Sequence, residues 1–204
     1  MNSRVFISLN LIAMAAILLF LPSATGKKDY LAPNDQVNNL SDSTIFVSID
    51  KATQYINQSD SVIQFIDIRS PEEFATCNLP GSINIPYSQL LDKRWQGYLD
   101  QEQKTNILYS NGNATSNMAY ALLSGMGYKN NLILDGGMNK WFEVVMSPPE
   151  FKGGRLSARE NSILENRREA RELFTEFNSV PDSIRNSVLT SKILEEKKLD
   201  GGCE

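Results

Sequence analysis

The chain has 204 residues, a formal net charge of −4 and no histidine. Because the charge balance is weakly acidic, nothing favours nucleic-acid binding, and we expect no nucleic-acid partner. The lack of histidine excludes a Ser–His or Cys–His catalytic pair within this chain. Two cysteines alone do not make a zinc site, and we predict neither a metal nor a cofactor.

An almost wholly apolar segment covers residues 5–21, with Arg4 ahead of it. Its length of about 17 residues is near the lower limit for crossing a bilayer. The small residues Ala24 and Gly26 suit the exit of an export signal. We therefore predict a signal peptide or membrane anchor over residues 1–26, with a slight preference for the anchor, and a location in a bacterial cell envelope. Whether this segment is cleaved is left open.

After a polar tether at residues 27–43, strand and helix patterns alternate through residues 44–146, which we predict to form one domain. This alternation is typical of an α/β fold with a parallel sheet flanked by helices. The predicted strands are 44–48, 62–66, 83–85, 107–109 and 131–134. The predicted helices are 51–56 with Asp50 as cap, one that begins at Pro71 with Ser70 as cap, 89–99, one that begins near Ser116, and 138–144.

Between the fourth predicted strand and its helix lies a short polar loop. Its members are Ser110, Asn111, Gly112, Asn113, Ala114 and Thr115. A buried strand that runs directly into a helix start places unpaired amides and the positive helix end together. This arrangement predicts an anion-binding loop at residues 110–115, and any chemistry of the fold is expected there.

Residues 147–204 form a separate extension in this prediction. Apolar residues recur at helical spacing over 157–177, and a second such stretch begins at Pro181. We predict a helical hairpin, which either packs back on the domain or on itself, or presents a surface to a protein partner or a second copy. The chain ends in a glycine-rich tail that carries Cys203.

Several motifs occur in a fixed order between residues 43 and 145. They are FIDIR (65–69), PEEF (71–74), LPGSINIP (79–86), the loop 109–116, GY (127–128), LDGG (134–137) and Trp141. Together they resemble the rhodanese-like domain family. The resemblance implies a five-stranded parallel sheet between helices, and an activity that moves sulfane sulfur from a donor such as thiosulfate to an acceptor.

The resemblance also implies a cysteine nucleophile at the start of the loop, where this chain has Ser110. The pKa of a hydroxyl is far above that of a thiol, and a hydroxyl cannot form a persulfide. In addition, no histidine is present to activate Ser110 as a nucleophile. The arginine often found later in the family's loop is replaced by Ala114 and Thr115. We therefore expect a module without persulfide chemistry that binds a small anion or a partner, and we leave its status as an enzyme uncertain.

The other matching residues are interpreted as structural. Asp67 and Arg69 follow a buried strand and are predicted to form a partly buried ion pair. Gly81, Gly136 and Gly137 are predicted to serve backbone turns, and Trp141 to lie in the core. These six positions are not assigned to catalysis.

The two cysteines leave one alternative open. Cys77 is predicted to be a partly buried thiol, and Cys203 a bystander on the tail. In the alternative, Cys203 visits the pocket of Ser110 and acts as the carrier of a sulfurtransferase that accepts sulfur from a sulfane-sulfur donor. A disulfide between Cys77 and Cys203 is also left open.

Overall fold

The structure is a computed structural model that describes residues 43–147 and 156–179. Within these residues the strands are β1 (Phe46–Val47), β2 (Ile63–Asp67), β3 (Ile83–Asn84), β4 (Thr105–Tyr109) and β5 (Asn131–Leu134). The helices are α1 (Ile49–Gln58), α2 (Pro71–Thr76), α3 (Gln96–Leu99), α4 (Asn113–Gly125), α5 (Gly137–Trp141) and α6 (Ala158–Ser179). A π-helix over Phe142–Met146 continues α5.

All neighbouring strands of the five-stranded sheet are parallel, in the order β1-β5-β4-β2-β3. This architecture confirms the predicted α/β fold with its flanked parallel sheet. Strands β2 and β4 are neighbours at the centre of the sheet. The chain leaves β2 toward one edge of the sheet, to β3, and leaves β4 toward the opposite edge, to β5. In open α/β sheets, such a reversal leaves a crevice at the carboxyl ends of the two central strands, where ligands bind.

Two apolar clusters cover the two faces of the sheet. Since successive side chains of a strand point to opposite faces, Phe65 and Ile107 join one cluster while Ile66 and Leu108 join the other. The first cluster packs under α1, α5 and α6, and the second packs under α3 and α4. The strands are therefore apolar on both faces, as parallel strands usually are.

The local sequence explains how α1 and α2 begin. Ser70 caps α2 in a complete capping box with Glu73, which confirms the predicted cap, and Pro71 occupies the first turn. The prediction of Asp50 as the cap of the first helix is wrong. That helix begins earlier, at Ile49, because the side chain of Ser48 accepts the amide hydrogen of Lys51.

The helix predicted over residues 89–99 is also wrong. The chain there forms 3-10 turns at Tyr87–Gln89 and Lys93–Trp95, followed by the single turn of α3. Asp92 adopts an extended conformation (φ −71°, ψ 128°) that interrupts any helix, and Leu91 is 61% exposed. In addition, α4 begins at Asn113, one turn before the predicted start near Ser116.

The long helix α6 confirms the predicted helix over residues 157–177. It packs on the domain through Ala170 and Phe174, which are buried in the first cluster, and the ring of Phe174 lies 5.8 Å from that of Trp141. The predicted apolar segment at residues 5–21 and the second helix of the hairpin lie outside the described residues. Among the helices within 43–147 and 156–179, none has the length and apolar character needed to cross a membrane.

Candidate functional site

The carboxyl ends of β2, β4 and β5 bring together the polar residues that the sequence singled out. Arg69 follows β2, the site loop (residues 110–115) follows β4, and Asp135 follows β5. Hydrogen bonds join neighbouring members of this set, from Arg69 to Asn111 and from Asn113 to Asp135. The candidate site therefore lies in the crevice that the strand order creates.

Ser110 occupies the first position of the site loop and is 7% exposed. Its carbonyl accepts a hydrogen bond from the amide of Met138 at the start of α5 (2.9 Å). Its hydroxyl forms no hydrogen bond with any residue that the structure describes. An oxygen nucleophile without a neighbouring base remains a neutral alcohol near pH 7.

The backbone of the site loop is oriented by α5. The carbonyls of Ser110 and Asn111 accept hydrogen bonds from the amides of Met138 and Asn139 (2.9 Å each). No cis peptide occurs in the described residues, and N–H and C=O point in opposite directions across a trans peptide. The amides of Asn111 and Gly112 therefore point away from α5.

The start of α4 adds further unpaired donors to this loop. Helix α4 begins directly at Asn113, its N-cap is Gly112, and no side chain caps it. The first-turn amides of Asn113, Ala114 and Thr115 have no intrahelical acceptor, and the helix dipole places positive charge beside them. Such amides are what an anion-binding loop requires, while anion binding itself stays a prediction.

A glycine allows α5 to approach the site loop this closely. Gly137 has φ +57°, and a Cβ at this position would collide with the carbonyl oxygen of Ser110. Gly136 and Gly81 also have positive φ, at +78° and +75°. A Cβ at Gly81 would meet no atom within 4 Å, so glycine is favoured there only because of the positive φ.

A buried ion pair joins Asp67 to Arg69 at the end of β2. Nη2 of Arg69 lies 2.6 Å from Oδ2 of Asp67, and the two side chains are 5% and 0% exposed. The same Nη2 donates to the carbonyl of Cys77 (2.7 Å). Burial opposes the charge of Arg69, but the hydrogen bond and the charge of Asp67 raise its pKa above the ordinary value. Arg69 therefore stays charged, and its contacts fix the end of β2.

Asn111 is held between two charged side chains. Its Nδ2 donates to Oε1 of Glu73 (2.6 Å), and its Oδ1 accepts from Nη1 of Arg69 at 3.4 Å. The hydrogen bond from Asn111 lowers the pKa of Glu73, with help from the backbone of Ser70. The sequence placed Glu73 only in the helix that begins at Pro71, so its contact with the loop was missed.

A second polar group lies on the other side of the site loop. Oδ1 of Asn113 accepts from the amide of Gly136 (2.6 Å), and its Nδ2 donates to Oδ1 of Asp135 (3.1 Å). Lys140 forms a salt bridge with Asp135. The hydrogen bond from Lys140 lowers the pKa of Asp135, followed by that from Asn113. The LDGG motif was the available signal for this group, but the roles of Asn113 and Lys140 were missed.

The remaining predicted residues divide by location. Ala114 lies exposed at the first turn of α4, and Thr115 beside it is partly buried. Trp141 is fully buried in the first apolar cluster, and Cys77 packs partly buried against that cluster. Cys203 lies outside the described residues. Within those residues, no group of three potential metal ligands occurs.

Residues 48–143 match the family model of the rhodanese-like domain. The match runs from the residue after β1 to two residues beyond α5 and includes every residue of the candidate site described above. The chain therefore contains a rhodanese-like domain, with serine at the first position of its site loop.

Two curated relatives carry sulfurtransferase names. The chain is 26% identical over 104 residues to thiosulfate:glutathione sulfurtransferase of Saccharomyces cerevisiae, which covers 46% of this chain and 75% of that protein. It is 29% identical over 107 residues to adenylyltransferase and sulfurtransferase UBA4 of Lodderomyces elongisporus, which covers 48% of this chain. The match spans only 23% of the UBA4 protein.

Among solved structures, the chain is similar to a rhodanese-related protein from Thermoplasma volcanium. The TM-score is 0.41 at 24% sequence identity, and the match covers 50% of this chain and 93% of that one.

Proposed function

We propose that this chain is a rhodanese-like module without persulfide chemistry, which binds a small anion or a protein partner at the site loop. The observation that carries the proposal is the contrast at position 110. The backbone beside it offers the uncapped first-turn amides of α4, whereas the side chain is a hydroxyl with no hydrogen-bonded base among the described residues.

The missing step is the capture of sulfur. In sulfur transfer, a cysteine thiolate attacks the sulfane sulfur of thiosulfate, a sulfur–sulfur bond forms and sulfite leaves. Helix amides favour this step because they lower the pKa of a thiol and hold an anionic persulfide. Ser110 retains such surroundings but has no sulfur atom to accept the transfer.

The anion remains the simplest ligand for the site loop. The first-turn amides of α4 and the positive end of its dipole support binding of a group such as sulfate or thiosulfate. Thr115 contributes no charge to such a complex. The proposed affinity therefore depends on backbone donors more than on a side-chain cation.

The decisive experiment restores the nucleophile. Ser110→Cys is expected to give thiosulfate cleavage in which the new thiolate takes sulfur, releases sulfite and passes the sulfur to cyanide as thiocyanate. Thiocyanate formation by the wild-type chain is expected to stay at background. An inactive Ser110→Cys variant that is correctly folded would show that the loop is no longer a sulfur cradle.

The alternative carrier, Cys203, is tested in the same assay. Turnover by the wild-type chain that disappears in Cys203→Ala, together with a sulfur adduct on Cys203 by mass spectrometry, would replace the proposal. Turnover that survives both Cys203→Ala and Cys77→Ala would contradict it in another way, since Ser110 would then need a sulfur chemistry that a hydroxyl lacks.

Location and partners are proposed from the sequence alone. The apolar segment at residues 5–21 supports attachment to, or export across, a membrane of the cell envelope. Fractionation of the full-length chain, compared with a chain that lacks residues 1–26, tests this. The amphipathic stretches of residues 157–204 support a protein partner, which cross-linking before and after their removal would reveal.

A further inference from the structure

The last turn of α6 carries Asn178, which pairs with the backbone of a residue far away in the chain. The amide of Asn78 donates to Oδ1 of Asn178 (3.0 Å), across a separation of 100 residues. Nδ2 of Asn178 donates back to the carbonyl of Asn78 (3.0 Å). One side chain thus satisfies both backbone groups of Asn78, as a neighbouring strand would do.

From the α2 side, local hydrogen bonds hold the connection between α2 and β3: Nδ2 of Asn78 donates to the carbonyl of Phe74 (2.9 Å), and the amide of Cys77 donates to the carbonyl of Glu73 (3.3 Å). Helix α2 has no buried residue, and its C-cap Cys77 is already extended (φ −163°, ψ 146°). A short helix without a buried face gains little from packing. The position of the segment 77–78 is therefore determined in part by its partners, of which Asn178 supplies two hydrogen bonds.

From Asn78 the contacts lead to the site loop. The carbonyl of the preceding residue, Cys77, accepts from Nη2 of Arg69 (2.7 Å). Nη1 of the same guanidinium lies 3.4 Å from Oδ1 of Asn111, the residue directly after Ser110. The link from Asn78 to Cys77 is covalent and the others are hydrogen bonds, so a continuous series of contacts connects Asn78 to the guanidinium that contacts Asn111.

Helix α6 is anchored independently of Asn178. Arg167 forms a two-pronged ion pair with Asp50 (2.6 and 3.0 Å). Arg171 donates to the carbonyl of Val145 (2.6 Å), and Phe174 is buried beside Trp141. Because these contacts hold the helix in place, the contact of Asn178 with Asn78 can be removed without releasing α6.

We infer that Asn178 is a positioning residue for the site loop, which acts through the backbone of residues 77–78 and the guanidinium of Arg69. The inference rests on the proposed function only in taking that loop as the site. It extends the functional unit beyond residue 143, where the family match ends, to the end of α6.

The test uses the thiol introduced by Ser110→Cys in a full-length chain that also carries Cys77→Ala and Cys203→Ala. Its rate of alkylation by iodoacetamide is measured against pH, which gives the pKa and the reactivity of that thiol. Adding Asn178→Ala is expected to change the rate at pH 7 by about threefold or more. Adding Asn161→Ala, a change on an exposed part of the same helix, is expected to leave it unchanged.

A purely structural role is distinguished by Arg167→Ala, which weakens the docking of α6 at its other end. Only Asn178→Ala is expected to alter the alkylation profile, even when both variants lose similar free energy of unfolding. Equal changes in the two variants would overturn the inference, and so would a profile for Asn178→Ala that matches Asn161→Ala.

One further variant completes the test. If Asn178→Ala does not fold, Asn178→Asp keeps the acceptor for the amide of Asn78 and loses the donor, and a smaller change in the same direction is expected. An alkylation profile that matches Asn161→Ala overturns the inference here too. The alkylation comparison needs only a thiol at position 110 and no sulfur transfer. Its result is therefore independent of the thiocyanate assay of Ser110→Cys, which tests the proposed function.

Discussion

Two sets of residues share the carboxyl edge of the sheet and differ in how they are held. The frame residues Asp67, Arg69 and Gly137 are buried or closely packed, and their positions are determined by several contacts. The site loop exposes Ala114 and presents a hydroxyl at Ser110 without a partner among the described residues. From this difference we expect substitutions in the frame to lower stability, and substitutions in the loop to leave stability nearly unchanged.

The largest expected effect is the loss of Asp67. Asp67→Ala leaves the guanidinium of Arg69 buried without its counter-ion, which typically costs about 3–5 kcal/mol of unfolding free energy. Chemical denaturation of Asp67→Ala and the wild-type chain measures this loss of unfolding free energy. The exposed pair of Arg168 with Glu165 is the control, since Glu165→Ala removes a solvent-exposed ion pair that contributes little to stability. Similar losses for the two variants would mean that Asp67 is not part of a buried frame.

Gly137→Ala is expected to be the next most damaging change. The new Cβ meets the carbonyl oxygen of Ser110 at a positive φ of +57°, so strain and steric overlap together cost about 3 kcal/mol. Gly81→Ala is the matched control, because its φ of +75° is similar but nothing lies within 4 Å. It is expected to cost about 1 kcal/mol. Thermal unfolding of both variants separates overlap from backbone strain.

A smaller effect concerns the stability of the protein at acidic pH. The folded protein lowers the pKa of Glu73 from its ordinary value of 4.5, chiefly through the hydrogen bond from Asn111. This carboxylate therefore stabilises the fold above that value, and the contribution is lost as the pH falls through the lowered pKa. Since Glu73 is exposed, we expect less than about 1 kcal/mol. In Glu73→Gln, the free energy of unfolding should fall less steeply as the pH drops below 4.5. An unchanged slope would contradict the hydrogen bond between Asn111 and Glu73.

Ser110→Ala is expected to have the smallest effect on stability. The hydroxyl has no partner to lose within the described residues, and its removal creates almost no cavity, so the change should stay within about 0.5 kcal/mol. Denaturant unfolding of this variant beside the wild-type chain tests the claim. A loss of more than about 1 kcal/mol would place Ser110 in the frame and not in the loop set.

Local signals in the sequence predicted those parts of the fold that depend on neighbours in the chain. The apolar run at β5 predicted Asn131–Leu134 to the residue, and Ser70 followed by Pro71 predicted the start of α2. In each case the interactions responsible lie within a few residues. The order of the motifs likewise predicted the rhodanese-like domain.

Contacts between distant residues could not be predicted in this way. Nothing in the local sequence distinguishes Asn178 from other polar residues of α6, because its partner Asn78 lies 100 residues earlier. The interruption at Asp92 was missed because the apolar spacing around Leu90 fits a helix equally well. The cap at Ser48 was missed because two capping residue types, Ser48 and Asp50, lie two positions apart.

The two hydrogen bonds between α5 and the site loop have a consequence for amide hydrogen exchange. The amide hydrogens of Met138 and Asn139 are bonded to the two loop carbonyls, so they exchange with water only when helix and loop separate. Their protection factors therefore report the opening free energy of the loop directly. A ligand that binds the closed loop should slow both amides together, which provides a label-free way to screen for that ligand.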